Sequence, residues 1–293
     1  MTWYQLAVKH CPESTVEALS SALEHFGALS VSLLDANNHP VLEPAPGHTP
    51  LWPEVSVSAL FDSPDHATLA RFACASQFSE LTFETDNIPD QVWERVWMDT
   101  FKPQCFGEKL WICPSWAATP IPGATQVLLD PGLAFGTGMH PTTALCLQWL
   151  DQHDLGKQTL IDYGCGSGIL ALAAAKLGAQ YIQAVDIDPQ ALLATAANCT
   201  LNNIAAQQLV VQTIEALQGP VDIILANILL DPLLLLRDRF HGLLATNGIL
   251  VISGILIEQI SGLVKYYEDQ GFIQQDQHCL AEWGLVVFRK IIC

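Results

Sequence analysis

Residues 159–188 read TLIDYGCGSGILALAAAKLGAQYIQAVDID, and the order of residue types within them decides the fold. An apolar run ends in three alternate glycines, Gly164, Gly166 and Gly168. A stretch rich in alanine and leucine follows and stops at Gly178. A second apolar run, YIQAV, then ends in Asp186 and Asp188. This is strand, tight turn, helix, strand, the pattern of a parallel α/β unit. Glycine in the turn lets backbone approach a ligand closely and adopt conformations closed to other residues. In an open α/β sheet such a ligand lies at the carboxyl ends of the strands, near the point where strand order reverses. A carboxylate ending the second strand can accept hydrogen bonds from both hydroxyls of a ribose. A plain tight turn is the competing reading, weakened by the acids at Asp162 and Asp186.

The glycine spacing separates two nucleotide chemistries. A nicotinamide fingerprint needs glycines at relative positions one, three and six. Here they stand at one, three and five, and the sixth position is Ile169. The pattern therefore argues against a nicotinamide-dependent oxidoreductase.

Just upstream lies the second constellation, DPGLAFGTGMHPTT at residues 130–143. Gly132, Gly136 and Gly138 predict a flexible loop, and Pro141 with two threonines opens the helix TTALCLQWL. Amides at such a helix start, with hydroxyls beside them, can hold a carboxylate; ordinary N-capping by Thr142 or Thr143 is the alternative. The third constellation is Ala226-Asn227-Ile228-Leu229, at the end of the sheet's fourth strand. An Asn carboxamide there can position an incoming amine through its oxygen, or simply form a turn. No G-x-S-x-G, H-E-x-x-H or Walker A loop occurs, and the histidines, His140 included, form no metal or triad pattern.

Further along, LVVQT, VDIILANI, GILVISGI, FIQQDQHCL and GLVVFRK bring the strands after residue 104 to seven, with helices between most of them. The expectation is a doubly wound, mostly parallel α/β sheet closed by an antiparallel hairpin. Toward the N-terminus the character changes. Residues 2–10, 28–36, 56–61 and 81–87 read as strands, and 12–27 and 63–78 as helices, giving a βαββαβ order and a small α+β, ferredoxin-like domain. Residues 88–103 read as one helix begun by Pro89 and ended before Pro103. The division expected is 1–87 as the small α+β domain, 88–103 as a linker helix and 104–293 as the α/β domain.

The 293 residues carry 12 Lys plus Arg against 30 Asp plus Glu, a formal charge of −18. Such a field attracts basic partners and repels phosphate backbones, which argues against broad nucleic-acid binding. It is also compatible with acidity that only maintains solubility. Nine cysteines without C-x-x-C pairs fit neither a zinc site nor a secreted scaffold. The N-terminus has no apolar signal core, and the most apolar stretch, residues 221–236, is broken by Asp222, Asn227 and Asp231. A cytoplasmic protein without metal or membrane span is expected.

The G-x-G-x-G spacing with its leading acid, Asp162, resembles the first motif of class I (Rossmann-like) methyltransferases. Over its whole length the chain resembles the bacterial methyltransferases of large-subunit ribosomal protein eleven. The resemblance is carried by LDPGLAFGTGMHPTTALCLQWL, LIDYGCGSGILALAAAKLGA, AVDIDPQA and LANIL, with FGTGMHPTT the most discriminating run. Met139 departs from the family, standing where a polar residue is common. The resemblance implies S-adenosyl-L-methionine as cofactor, with Thr143, Gly164, Asp186 and Asn227 as its contacts and Asn227 also catalytic. It implies an enzyme whose N-terminal domain grips a basic ribosomal protein and which methylates its α-amine and lysine side chains; a monomer acting on the free or ribosome-bound protein is expected. No dedicated strong base is expected, since desolvation lowers the pKa of a lysine amine. An RNA substrate and a non-catalytic binding module are the alternatives within the same fold.

Overall fold

The computed structural model describes residues 2–37, 50–88, 102–117, 122–130 and 139–291. The chain divides into two compact units, Met1–Val96 and Trp97–Cys293.

In the first unit, β1 (Trp3–Pro12), α1 (Glu13–His25), β2 (Ser30–Asp35), β3 (Glu54–Phe61), α2 (Pro64–Gln77) and β4 (Phe83–Ile88) follow one another. The sheet order is β2-β3-β1-β4, every pair antiparallel, which is the ferredoxin-like arrangement. Strand β3 shows why. Its sequence EVSVSALF alternates, so Val55, Val57, Ala59 and Phe61 are all buried on one face. Against that face α1 lays Val16, Leu19 and Leu23, the i, i+3, i+7 stripe legible in the sequence. Helix α2 adds Ala67, Ala70 and Cys74 and starts at Ser63, whose hydroxyl accepts from the Asp65 amide at 3.2 Å.

The second unit opens with three short strands, β5 (Gln104–Phe106), β6 (Leu110–Cys113) and β7 (Thr125–Leu128), forming their own sheet. The sequence reading missed them, because strands of three or four residues carry too little alternation to register. Then come α3 (Pro141–Gln152), β8 (Thr159–Tyr163), α4 (Ile169–Lys176), β9 (Tyr181–Val185), α5 (Pro189–Leu201) and β10 (Leu209–Gln212). Strand β11 (Val221–Asn227), α6 (Leu230–Leu243), β12 (Leu244–Leu256), α7 (Ile260–Glu268), β13 (Phe272–Leu280) and β14 (Trp283–Lys290) complete the chain.

The large sheet has the order β10-β9-β8-β11-β12-β14-β13. All neighbours run parallel except β14, which is antiparallel to both β12 and β13. From β8 the chain winds outward to β10, then returns to the other side of β8 with β11. The switch point therefore lies between the carboxyl ends of β8 and β11. Strand β13 ends the sheet, polar along most of its length and bulged between Gln274 and Asp276.

Alternate residues of each central strand face two cores. Leu160, Ile223 and Leu225 join α3, α4 and the small sheet on one side. Ile161, Ile224 and Ala226 join α6 and α7 on the other. Helix α4, ILALAAAK, is buried on every side from Ile169 to Ala175, which its uniformly small and apolar composition permits. Two side-chain staples fix the ends of strands. The Asn202 carboxamide accepts from the Leu128 amide (2.8 Å) and donates to the Leu128 carbonyl (2.7 Å). The Asp222 carboxylate accepts from the Thr159 amide and hydroxyl (2.8 and 2.7 Å).

The expected helix over 88–103 falls mostly outside the described residues, as do Gly132, Gly136 and Gly138 of the loop; Ile88 itself closes β4.

Candidate active site

The turn after β8 is held from below and from the side. The amides of Gly164 and Cys165 both donate to the Val185 carbonyl at the end of β9 (2.8 and 3.0 Å). Two residues of α5 secure its carbonyls: the Thr195 hydroxyl donates to Gly166 (3.0 Å) and the Asn198 carboxamide to Ser167 (2.9 Å). Gly164 has φ +78°, and a Cβ there would meet the Ile228 Cγ2 at 2.5 Å, so the turn passes close against the end of β11.

Asp162 lies beneath this turn, 1% exposed, and accepts from the Ala171 amide in the first turn of α4 (2.9 Å). Burial pushes its carboxyl up to about 7; the Ala171 hydrogen bond opposes the rise and the nearby Asp186 charge adds to it. The leading acid of the motif is thus a buttress that ties strand to helix. Burial likewise pushes the Cys165 thiol up, which leaves it unsuited to nucleophilic work.

Asp186 follows β9 directly. One carboxylate oxygen accepts from the Gly166 amide (2.9 Å) and the other from the Asp188 amide (3.0 Å). An ionised carboxylate offers about four acceptor positions, so capacity remains for further donors. Asp188 has a different task from its neighbour: it caps α5, accepting from the Gln190 amide at 2.9 Å. Between them Ile187 is 87% exposed, an apolar side chain held at the strand end beside two acids.

Helix α3 begins on the other flank. Its N-cap is His140, whose Nδ1 accepts from the Thr142 amide (3.4 Å) and sits 2.8 Å from the Thr142 hydroxyl. The caps expected from sequence, Thr142 and Thr143, are instead inside the first turn and buried. Imidazole is outside the usual cap residues, so nothing local pointed to it. Thr143 projects its hydroxyl at Asn227, whose Nδ2 donates to it at 3.3 Å across 84 residues of sequence. Of the residues singled out in the sequence, Thr143 and Asn227 are in direct contact, Gly164 abuts Ile228 next to Asn227, and Asp186 is bonded to the glycine turn. Ser253, Gly254 and Trp283 were not singled out, although an isolated Gly254 inside a strand pattern is a recognised sign of close backbone approach. Among the described residues no cluster of His, Cys, Asp and Glu could hold a metal.

The sequence model of the ribosomal protein L11 methyltransferase family (PrmA) matches residues 2–291. The chain belongs to that family. A ribosomal protein L11 methyltransferase of Legionella pneumophila (strain Corby) is 51% identical over 286 residues, covering 98% of this chain and 99% of the relative. That of Hydrogenovibrio crunogenus is 43% identical over 293 residues, with 99% of each covered. Among solved structures, a ribosomal protein L11 methylase from Lactobacillus delbrueckii subsp. bulgaricus superposes with a TM-score of 0.60 at 30% identity. It covers 66% of this chain and is itself covered completely. The L11 methyltransferase family thus has, in this member, the class I methyltransferase sheet preceded by a small ferredoxin-like unit.

Proposed function

We propose that this chain transfers methyl groups from S-adenosyl-L-methionine to amine nitrogens of ribosomal protein L11, namely its α-amine and lysine side chains. The observation that carries the reading is the Asn227–Thr143 contact at the switch point. With Nδ2 engaged by Thr143, the carboxamide presents Oδ1 as the acceptor for an N–H of an incoming amine. A hydrogen bond in that sense orients the nitrogen lone pair away from Asn227 and toward the reacting carbon.

The residues of the carboxyl edge suit the cofactor. Asp186 has acceptor capacity for ribose hydroxyls, exposed Ile187 gives a purine an apolar face, and the positive end of the α3 dipole together with the Thr143 hydroxyl favours a carboxylate there. Gly164 leaves the close passage that a Cβ would block. When bound, the cofactor supplies a methyl carbon activated by its sulfonium. The chain's own part is to align and desolvate the amine. A lysine with reference pKa near 10.4 must arrive neutral, and an apolar rim favours that form. Met139 and Leu229, both 55% exposed at the start of α3 and just past the end of β11, are the apolar residues beside Asn227's element ends. Proximity and alignment of this kind are worth roughly 7–11 kcal/mol in the best cases, so no strong base is required.

The N-terminal unit is proposed as the part that recognises the ribosomal protein, with the acidic chain steering a basic partner toward it. The enzyme is proposed to act as a cytoplasmic monomer without direct nucleic-acid contact; no described helix is long and apolar enough to cross a membrane. Incubation with methyl-labelled cofactor and ribosomal proteins from cells lacking the enzyme, read by intact mass, tests the reading. The expected result is label on L11 in steps of one methyl. Label on ribosomal RNA, or none with a working control enzyme, overturns the substrate assignment.

A further inference from the structure

Asn227 and Thr143 reach across the sheet from different elements, and something must fix the first turn of α3 for their contact to be reproducible. Helix ends fray, since their first amides have no intrahelical partner. Here the end is fastened on two sides. His140 receives the Thr142 amide on Nδ1, with the Thr142 hydroxyl 2.8 Å from the same nitrogen. Its ring stands edge-on to Trp283, centroids 4.8 Å apart at 67°, and Trp283 pairs with Leu256 where β14 meets the end of β12. From below, the fully buried Ser253 hydroxyl lies 3.3 Å from the Thr142 carbonyl and 3.0 Å from that of Gly284. Ser253 is the residue of β12 that pairs with Asn227.

The adjoining residue completes the arrangement. Gly254 has φ +84°, and a Cβ there would meet the Ile228 carbonyl oxygen at 2.5 Å and its amide nitrogen at 2.9 Å. The segment Asn227–Ile228 is therefore held between Gly254 on one side and Gly164 on the other, while the α3 turn caps it through Thr143. For Nδ1 of His140 to accept from the Thr142 amide, the imidazole must be neutral with its proton on Nε2, and burial lowers its pKa in that direction.

We propose that His140 is a positioning residue for methyl transfer: through Thr142 and Thr143 it sets the orientation of the Asn227 carboxamide. The proposal rests on the role given to Asn227 above. His140 acts by fixing the turn whose hydroxyl holds Nδ2.

The test compares His140→Ala, His140→Asn, Asn227→Ala and the double variant His140→Ala/Asn227→Ala. Steady-state kinetics on L11, cofactor affinity by calorimetry, and the Asn227 side-chain amide signal in the cofactor-free protein are measured. His140→Ala is expected to lower kcat about 10- to 100-fold, the scale of a small misplacement, with little change in KM or in cofactor affinity. His140→Asn restores most of the rate, because asparagine is among the best helix caps. The double variant is no slower than Asn227→Ala alone, as required if one residue acts through the other. The Asn227 amide signal moves in His140→Ala and returns in His140→Asn. If His140→Ala does not fold, His140→Gly, which costs little at a cap, carries the same comparison. Unchanged kcat in folded His140→Ala, multiplicative losses in the double variant, or an unmoved Asn227 signal in His140→Ala overturns the proposal while leaving the Asn227 reading intact. Full turnover by Asn227→Ala overturns both.

Discussion

Three side chains make different predictions from neighbouring positions. Asn227→Ala removes the acceptor for the amine but leaves the glycine turn and Asp186 in place. Turnover should fall about 10²-fold with cofactor affinity largely intact, as measured by single-turnover kinetics and calorimetry. Asp186→Ala removes the acceptor proposed for ribose and also the bond to the Gly166 amide, so cofactor affinity should fall first. Equal loss of affinity in both variants would show that the two functions are not separated along the sheet edge. Asp162 belongs to stability. Its carboxyl, raised to about 7 in the fold against an ordinary 3.8, holds its proton in the native state over the interval between those values. The native state then binds more protons than the unfolded chain, and the contribution is complete below about 3.8 and lost as pH rises through about 7. Asp162→Asn keeps an acceptor for the Ala171 amide and removes the titration. Chemical denaturation from about pH 5 to about pH 8 should show the variant gaining on the parent protein as pH rises, and a constant difference would refute the assignment.

At the scale of elements, what could be read from the chain was whatever a local pattern encodes. The β8 turn and α4 were legible because three glycines and an alanine-leucine run sit side by side. Asn227 was legible as a polar residue closing an apolar strand. The support around it was not: Ser253 reaches Thr142 across 111 residues and Gly284 across 31, and no spacing rule connects such positions. The strands β5 to β7 were missed because their pairing, not their sequence, makes them strands. Gly254 falls between these cases, since its isolation within β12 was visible and its neighbour, the Ile228 backbone, was not. Two substitutions test the element-level account. Leu172→Ala in the fully enclosed α4 should cost about 2–5 kcal/mol in a denaturant titration, the range for a buried leucine that leaves a cavity. Gly254→Ala drives a Cβ into backbone and strains a positive φ, so it should lower stability and turnover together. Retention of both would mean that β12 can withdraw from Ile228 without consequence.

For the whole molecule, the excess of acid sets the terms of encounter. A chain with formal charge −18 meeting a basic protein should associate quickly at low ionic strength, and the advantage should decay as salt shortens the screening length. The expected signature is a fall of kcat/KM on L11 with added salt while kcat itself holds; a kcat/KM indifferent to salt would assign recognition to apolar contact instead. The same molecule also ends its large sheet in β13, whose outer margin pairs with no other strand among the described residues. Such a margin is a template onto which another polypeptide can add. Here the outer strand carries Gln274, Gln275, Asp276, Gln277 and His278 in succession and breaks its regular hydrogen bonding at the bulge, so a second copy finds charge and an irregular ladder there. That disposition works against edge-to-edge pairing, so Asp276→Val is expected to raise light scattering of concentrated protein before it alters turnover.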